Sequence, residues 1–408
     1  MERIRRLVSL LGMPQHRFAS IHVVGTNGKS SVAEMTAALL DAHGKRSGAY
    51  LSPHLDRWSE RIRIGGAEIG PGELAAAVER VAQSVDVVNR TLDEDEAVTQ
   101  FEATTAAAFV ALAAAGVEFG VIEAGLGGRL DATNVLPSRV TALTSVGLEH
   151  TEWLGESEEQ IAAEKLAVLR DHSTLVIGRV SAGVRKLAER TAAERSARLV
   201  IPGEPRSGSP LAVPGAYARR NFAVAVAAAE AAIGTLDPER TAWVAERIQL
   251  RGRMQMVDGA PPLVLDAAHN PDGAQALAEA LPEAVGDAPV IACLSILTDK
   301  DADGMLAALA PLLDAAVCTE LAPEQLARAG RPESRSFEAS QLAQAARAAG
   351  VPHTEAIPEA NAALRRALEL ATERGGVTLV SGSHYLLGYA ARVTPDRVGG
   401  STPEQRRR

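Results

Sequence analysis

Cysteine is almost absent. Cys293 and Cys318 are the only thiols in 408 residues, too few for a disulfide framework or a thiolate zinc site. A reducing, cytoplasmic setting is therefore expected. Long apolar runs are missing too: none approaches the roughly 20 residues that cross a bilayer, so no membrane partner is expected. The opening Met1-Glu2-Arg3-Ile4-Arg5-Arg6 leads into a short amphipathic segment without a signal-peptide core. A basic balance is also lacking. With a net charge of -9 and a pI near 5.6, the chain has no positive field to gather phosphates, and nucleic acid is not an expected partner. The basic end Gln405-Arg406-Arg407-Arg408 reads as a frayed terminus inside a flexible tail, residues 396–408. Lysine is scarce beside many arginines: Lys29, Lys45, Lys165, Lys186 and Lys300 are the full set. A lysine that persists against that bias is a candidate for a specific role, although the bias alone assigns none.

What is present is a globular composition, 46% hydrophobic and 23% charged, over a length that suits two domains. Strand patterns at residues 20–24, 47–51, 118–122 and 140–146 alternate with helix patterns ending near 43, beginning at 73, at 101–115 and at 158–169. The last of these opens with acidic residues, as the helix dipole prefers. A turn-rich segment, 202–214, precedes an Ala-rich helix at 217–232. Alternation then restarts, with strands at 263–265, 290–294 and 377–380 and helices at 274–280, 305–313, 341–349 and 360–374. Alternation of this kind predicts parallel sheets covered by helices, an α/β protein. Asp258-Gly259-Ala260-Pro261-Pro262 has the composition of a linker. The expected division is a P-loop ATPase-type domain over residues 1–254 and a smaller Rossmann-like domain over 255–395.

The strongest single motif follows the first strand. Gly25-Thr26-Asn27-Gly28-Lys29-Ser30-Ser31 joins a strand to a helix and points several backbone N–H groups at one spot, the positive end of the helix dipole. A phosphate chain is favoured there. Lys29 can reach the terminal phosphates, and Ser30 or Ser31 can face a magnesium ion. The spacing is shorter than Gly-x-x-x-x-Gly-Lys-Ser, and the plain alternative is a glycine turn that starts a helix. Kinases, GTPase switches and ligases all use such a cradle, so the loop does not name the chemistry.

Further segments, read in order, carry a resemblance. They are Tyr50-Leu51-Ser52-Pro53-His54-Leu55 with Glu60-Arg61-Ile62, Thr99-Gln100-Phe101-Glu102, and Glu123-Ala124-Gly125-Leu126-Gly127-Gly128-Arg129-Leu130-Asp131-Ala132-Thr133-Asn134. His150-Thr151-Glu152-Trp153-Leu154-Gly155, Glu164-Lys165, Asp266-Ala267-Ala268-His269-Asn270-Pro271, Asp299-Lys300-Asp301 and residues 383–388 follow. Together with the loop they resemble the folylpolyglutamate synthase / dihydrofolate synthase family, a branch of the Mur ligase superfamily. The resemblance implies an ATP-dependent carboxylate–amine ligase that adds L-glutamate to a folate or to 7,8-dihydropteroate through an acyl phosphate. It implies ATP and Mg2+, the latter at two sites, as cofactors. The small-molecule substrates are the expected partners of a monomer.

Residue by residue, the resemblance makes Ser52, Glu123 and His150 magnesium ligands. Their plain readings are a turn residue, a carboxylate capping the next turn and a packed histidine. It makes Lys165 a carbamate, a cation turned into an anion with two acceptor oxygens; otherwise Lys165 is a helix-surface lysine beside Glu164. Asn221, Arg253 and Asp266 would meet ATP at the adenine, the phosphates and the ribose side. The alternatives are a helix-start polar residue, a linker charge and a strand-end carboxylate. His269 would stand near the acyl phosphate or the glutamate. Thr99, Gln100, Phe101, Glu102 and Leu130 would touch the pterin-bearing substrate, although Phe101 also suits a core.

The match has departures. Ser30 stands where the family commonly has glycine, Arg251 where a proline is usual, Ala267 for glycine and His384 for leucine. None removes a candidate ligand. Two rivals remain: a Mur-type ligase acting on another carboxylic acid, and a nucleotide-binding protein without ligation.

Overall fold

The computed structural model describes residues 1–93, 95–205, 208–328 and 330–393, so the expected tail lies outside the described residues. The chain forms two compact units. Residues 1–212 with 218–248 make the first, and 213–217 with the chain from 249 onward make the second.

Among the described residues the first unit is built on eight strands: β1 (Ala19–Val24), β2 (Ser47–Tyr50), β3 (Ile62–Ile64), β4 (Ala67–Glu68), β5 (Phe119–Glu123), β6 (Val140–Leu143), β7 (Thr174–Ile177) and β8 (Arg198–Val200). They lie in the order β4-β3-β2-β5-β1-β6-β7-β8. β1 is buried from Ser20 to Val24 because helices cover both faces of a parallel sheet, which is why it reads as an apolar run rather than an alternation. Packing splits into two apolar clusters. In one, the helices Glu2–Leu10, Pro71–Asn89 and Gln100–Ala114 bury Ile4, Leu7, Val81, Phe109 and Leu112 with Tyr50 and Ile122. In the other, Ala162 and Leu166 of the helix Glu158–Leu166 and Val184 of the helix Ala182–Glu194 pack on Val24, Leu143 and Ile177.

Register is what positions the site. Val23 lies opposite Glu123, Val24 opposite Leu143 and Tyr50 opposite Ile122, all in parallel pairs. The loops after β1, β2, β5 and β6 therefore leave the same edge of the sheet side by side, the usual place for a ligand in an α/β protein.

The second unit holds β9 (Gln255–Val257), β10 (Leu263–Leu265), β11 (Val290–Leu294), β12 (Ala315–Cys318), β13 (Thr354–Ala356) and β14 (Val377–Ser381), in the order β13-β12-β11-β14-β10-β9. Three expectations need correction. The sheets are not wholly parallel, since β3, β4 and β9 pair antiparallel at sheet edges. Residues 258–262 are not a linker but the hairpin connection between β9 and β10, and the unit changes between Ile248 and Gln249. The strand expected over 140–146 stops at Leu143, because Thr144 and Ser145 turn away to bond the loop after β1. No described helix is long and apolar enough to cross a membrane.

Candidate active site

The loop after β1 is a rigid cup. Thr26 N donates to Ser145 O at 2.9 Å, Asn27 N to Ser145 Oγ at 3.0 Å, and Thr144 Oγ1 donates to Asn27 O at 2.6 Å. The Thr26 hydroxyl donates to Gly147 O at 3.2 Å and accepts from Gly147 N at 3.1 Å. Glycine is required at two places. Gly25 has φ 154°, and a Cβ there would overlap Thr144 Oγ1; Gly28 has φ 82°, and a Cβ there would lie 2.8 Å from Asn221 Oδ1. The second contact seats the candidate adenine residue Asn221 directly on the loop.

Gly28 is the N-cap of the helix Lys29–Ala42 and supplies no side-chain cap. Lys29 folds back, its Nζ donating to Gly25 O at 3.1 Å and Thr26 O at 2.9 Å. Of the two serines left open by the sequence, Ser30 faces the next group: its hydroxyl donates to Glu123 Oε1 at 3.0 Å, whereas Ser31 is buried. The other Glu123 oxygen accepts from Ser52 N at 2.9 Å. Glu123, 1% exposed, thus joins the ends of β1, β2 and β5.

Lys165 reaches the same floor from the helix Glu158–Leu166. It is 4% exposed and its Nζ donates to Gly25 O at 2.9 Å. Burial, with the nearby Lys29 charge, lowers its pKa to about 7, against smaller opposing effects of Glu149 and Asp131. His150 has φ 52° and opens the short helix Thr151–Leu154; its Nε2 lies 3.7 Å from Glu149 Oε1. Through Glu149, whose charge acts on Lys165, it belongs to the same neighbourhood.

The glycine-rich turn after β5 packs between these parts. A Cβ on Gly128 would sit 2.6 Å from Glu164 O and 2.8 Å from Lys165 O, and one on Gly125 would overlap the Phe101 ring. Asp131 fastens the turn, accepting from Leu126 N at 2.8 Å and from Thr133 N at 2.9 Å. Behind it, Thr133 gives its hydroxyl proton to Asp131, so His22 Nε2, 2.7 Å from Thr133 Oγ1, is the donor of that pair. Burial, aided by Arg170, drives His22 down to about 3 and keeps it neutral.

Of the candidate pterin contacts, Thr99 and Glu102 are engaged in a helix cap. Glu102 N donates to Thr99 Oγ1 at 3.1 Å and Thr99 N to Glu102 Oε2 at 2.8 Å, and Arg3 Nε reaches the same carboxylate at 3.1 Å. Phe101 lies with its ring centroid 6.4 Å from that of Tyr50, Gln100 is exposed, and Leu130 is 76% exposed.

In the second unit, Asp266 staples the turn that carries Arg253. Its oxygens accept from Met254 N and Ala268 N, each at 2.8 Å, and Gly252 O accepts from Ala267 N at 2.9 Å. Burial raises the Asp266 pKa, while the Arg253 charge and the two amides hold it down. His269 Nδ1 lies 2.9 Å from Ala267 O, and its ring faces that of His384 at 4.8 Å.

The residues fit a divalent cation of magnesium type. The Ser30 hydroxyl and the Glu123 carboxylate offer hard oxygens, and the Ser52 amide holds the carboxylate in place. Among the described residues no three His, Cys, Asp or Glu side chains converge on a point, so such a cation would complete its shell with water and phosphate oxygens, as magnesium does. Sequence reasoning missed Thr144, Ser145, Glu149 and His22, since a short Thr-Ser pair after a strand or a lone buried histidine has no spacing signature.

The Mur ligase middle domain family matches residues 23–201, and the Mur ligase glutamate ligase domain family matches 252–384. A dihydrofolate synthase/folylpolyglutamate synthase of Mycobacterium tuberculosis is 34% identical over 380 residues, covering 84% of this chain and 76% of that protein. The solved folylpolyglutamate synthase of M. tuberculosis complexed with ADP and AMPPCP superposes with a TM-score of 0.88 at 30% identity, over 98% of this chain and 95% of that one. The bifunctional folylpolyglutamate synthase/dihydrofolate synthase of Yersinia pestis complexed with AMPPNP and Mn ion gives 0.81 at 30% identity, over 97% and 93%.

Proposed function

The chain belongs to the dihydrofolate synthase/folylpolyglutamate synthase family of Mur ligases, ATP-dependent ligases of L-glutamate, and we propose that its residues divide that work as follows. The triphosphate of ATP lies on the amides of residues 25–31 with Lys29 at its outer end. A carboxylate oxygen of the folate or dihydropteroate attacks the terminal phosphorus. The bond to the bridging oxygen breaks, ADP leaves, and the acid becomes an acyl phosphate. The amine of L-glutamate then attacks the acyl carbon, loses a proton, and phosphate departs as the amide forms. A carboxylate is a poor electrophile, and this detour through phosphate is what ATP supplies. The chain's own contribution is alignment and charge neutralisation.

Magnesium held by Glu123 with Ser30 and Ser52, and a second ion at His150, would draw charge from the phosphate oxygens. Lys165 carries the carbamate. Its low pKa supports this reading, because carbon dioxide reacts with the neutral amine and an amine near 7 is substantially neutral at physiological pH. Asn221, Arg253 and Asp266 serve the nucleotide, His269 the acyl phosphate or the glutamate, and Thr99, Gln100, Phe101, Glu102 and Leu130 the pterin side. In this reading the first unit carries the phosphate loop, the second serves the glutamate step, and the protein works as a cytoplasmic monomer.

The observation that carries the proposal is Glu123. One buried carboxylate joins the phosphate loop through Ser30 and the neighbouring strand end through Ser52. The test is phosphate release. It is expected only when ATP, a pterin acid and L-glutamate are all present, and release indifferent to glutamate contradicts ligation.

A further inference from the structure

The segment 54–61 carries part of the family resemblance but has no task in the reading above. Arg61 closes the 3-10 turn Trp58–Arg61 and is 8% exposed. Its Nε donates to His54 Nδ1 at 2.9 Å. Its guanidinium carbon lies 4.5 Å from the centroid of the Trp58 ring, and the His54 and Trp58 rings are 4.6 Å apart. A ring nitrogen that accepts a hydrogen bond carries no proton, so neither partner brings a negative charge. Among the described residues Arg61 makes no ion pair and no other side-chain hydrogen bond. The adjacent Glu60 is turned to the loop instead; its carboxylate accepts from Leu55 N at 2.8 Å, Asp56 N at 3.2 Å and Arg57 N at 2.9 Å. A buried cation with no carboxylate bonded to it gains most from an arriving anion.

Its place in the fold indicates which anion. Arg61 O accepts from Leu51 N at 2.8 Å, and the next residue along, Ser52, gives its amide to Glu123. On the other side the Arg61 charge acts on Tyr50, whose ring neighbours Phe101, which in turn packs against Gly125. Arg61 is thus linked both to the Glu123 floor and to the apolar patch on the pterin side.

We propose that Arg61 binds the carboxylate of the pterin-bearing acid, the group that is to be activated, through the two outer nitrogens of its guanidinium. The inference rests on the glutamate-ligase reading above. A planar fork matches a carboxylate in two parallel hydrogen bonds, and His54 and Trp58 hold the fork in one orientation before substrate arrives. Lysine would keep the charge and lose the fork.

The test uses the full chain with a non-hydrolysable ATP analogue and magnesium. Two ligands are titrated into the wild type, Arg61→Gln and Arg61→Lys: the acid that the wild type turns over, dihydropteroate or tetrahydrofolate, and the primary amide of that reacting carboxyl. Arg61→Gln is expected to weaken the acid about 10- to 100-fold and to leave the amide within about twofold. Arg61→Lys falls between, and the KM for ATP stays put in both. Equal weakening of acid and amide, or no weakening of the acid, overturns the proposal. Should Arg61→Gln fail to fold, the same comparison in Arg61→Lys decides it. Failure of the underlying reading looks different: the wild type itself then releases no glutamate-dependent phosphate.

Discussion

Two strand–loop–helix junctions in this protein share a topology and differ in one respect. β1 runs through residues 25–28 into the helix Lys29–Ala42, and β10 runs through residues 266–270 into the helix Pro271–Val285. At the first, the N-cap is Gly28, which has no side chain to offer the orphan amides. At the second, Asn270 Oδ1 accepts from Gly273 N at 2.8 Å and Pro271 removes one donor outright. The orphan N–H groups of a helix start thus receive no side-chain cap from the N-cap residue in one unit and are partly satisfied by Asn270 in the other. The N-cap, rather than the topology, is what distinguishes the two helix starts.

The largest effect is expected from spoiling the cradle's shape. Gly25→Ala forces a Cβ into Thr144 at a strained φ, and the KM for ATP should rise by at least about 100-fold, as misplacement near 1 Å does. Nucleotide titration checks this, and unchanged affinity would remove the first half of the comparison. Next comes Lys165→Ala, expected to lower kcat about 100- to 1000-fold while ATP affinity shifts less than about threefold. Native mass spectrometry of the wild type should show one added carbon dioxide that the variant lacks. Depleting bicarbonate should reduce wild-type activity and restoring it should recover the loss; full activity in the variant contradicts the carbamate.

A pH prediction follows from the same amine. In the folded chain Lys165 is neutral above about 7, whereas the unfolded chain holds its proton up to 10.5. The unfolded state then binds more protons between these values, so this group makes stability rise with pH across that window. In carbon dioxide-depleted buffer, the slope of stability against pH between 7 and 10 should be smaller in Lys165→Met than in the wild type, measured by urea unfolding. An equal slope would show that the amine is not held neutral. The smallest effect belongs to the second junction. Asn270→Ala should cost about 1 kcal/mol of stability and leave ATP affinity alone. A large loss of ATP affinity there would erase the contrast between the two helix starts.

How much of this could be read from the chain depends on the range of the interaction. β1, its glycines and the following helix were legible because a buried strand, a glycine turn and an Ala-Leu face are adjacent in sequence. Thr99 and Glu102 carry a capping-box spacing, and the structure shows that cap. The end of β6 was misplaced because what terminates it is a bond from Thr144 to Asn27, 117 residues away. The strands Thr174–Ile177 and Ala315–Cys318 went unread because three or four consecutive buried residues have no period to display. The grip of His54 and Trp58 on Arg61 was equally hidden. Its members lie within eight residues, but only the folded turn stacks them. The His22–Thr133 pair spans 111 residues and is visible only once β1 and the loop after β5 are side by side.

The central claim is that Glu123, Lys165 and the loop of residues 25–31 form one phosphate- and metal-binding floor. A crystal structure with a non-hydrolysable ATP analogue and magnesium tests it most directly. The triphosphate is expected on the amides of residues 25–31, with an ion against Glu123 and Ser30 and a carbamate on Lys165. A triphosphate bound away from that loop, or an ion that ignores Glu123, contradicts it.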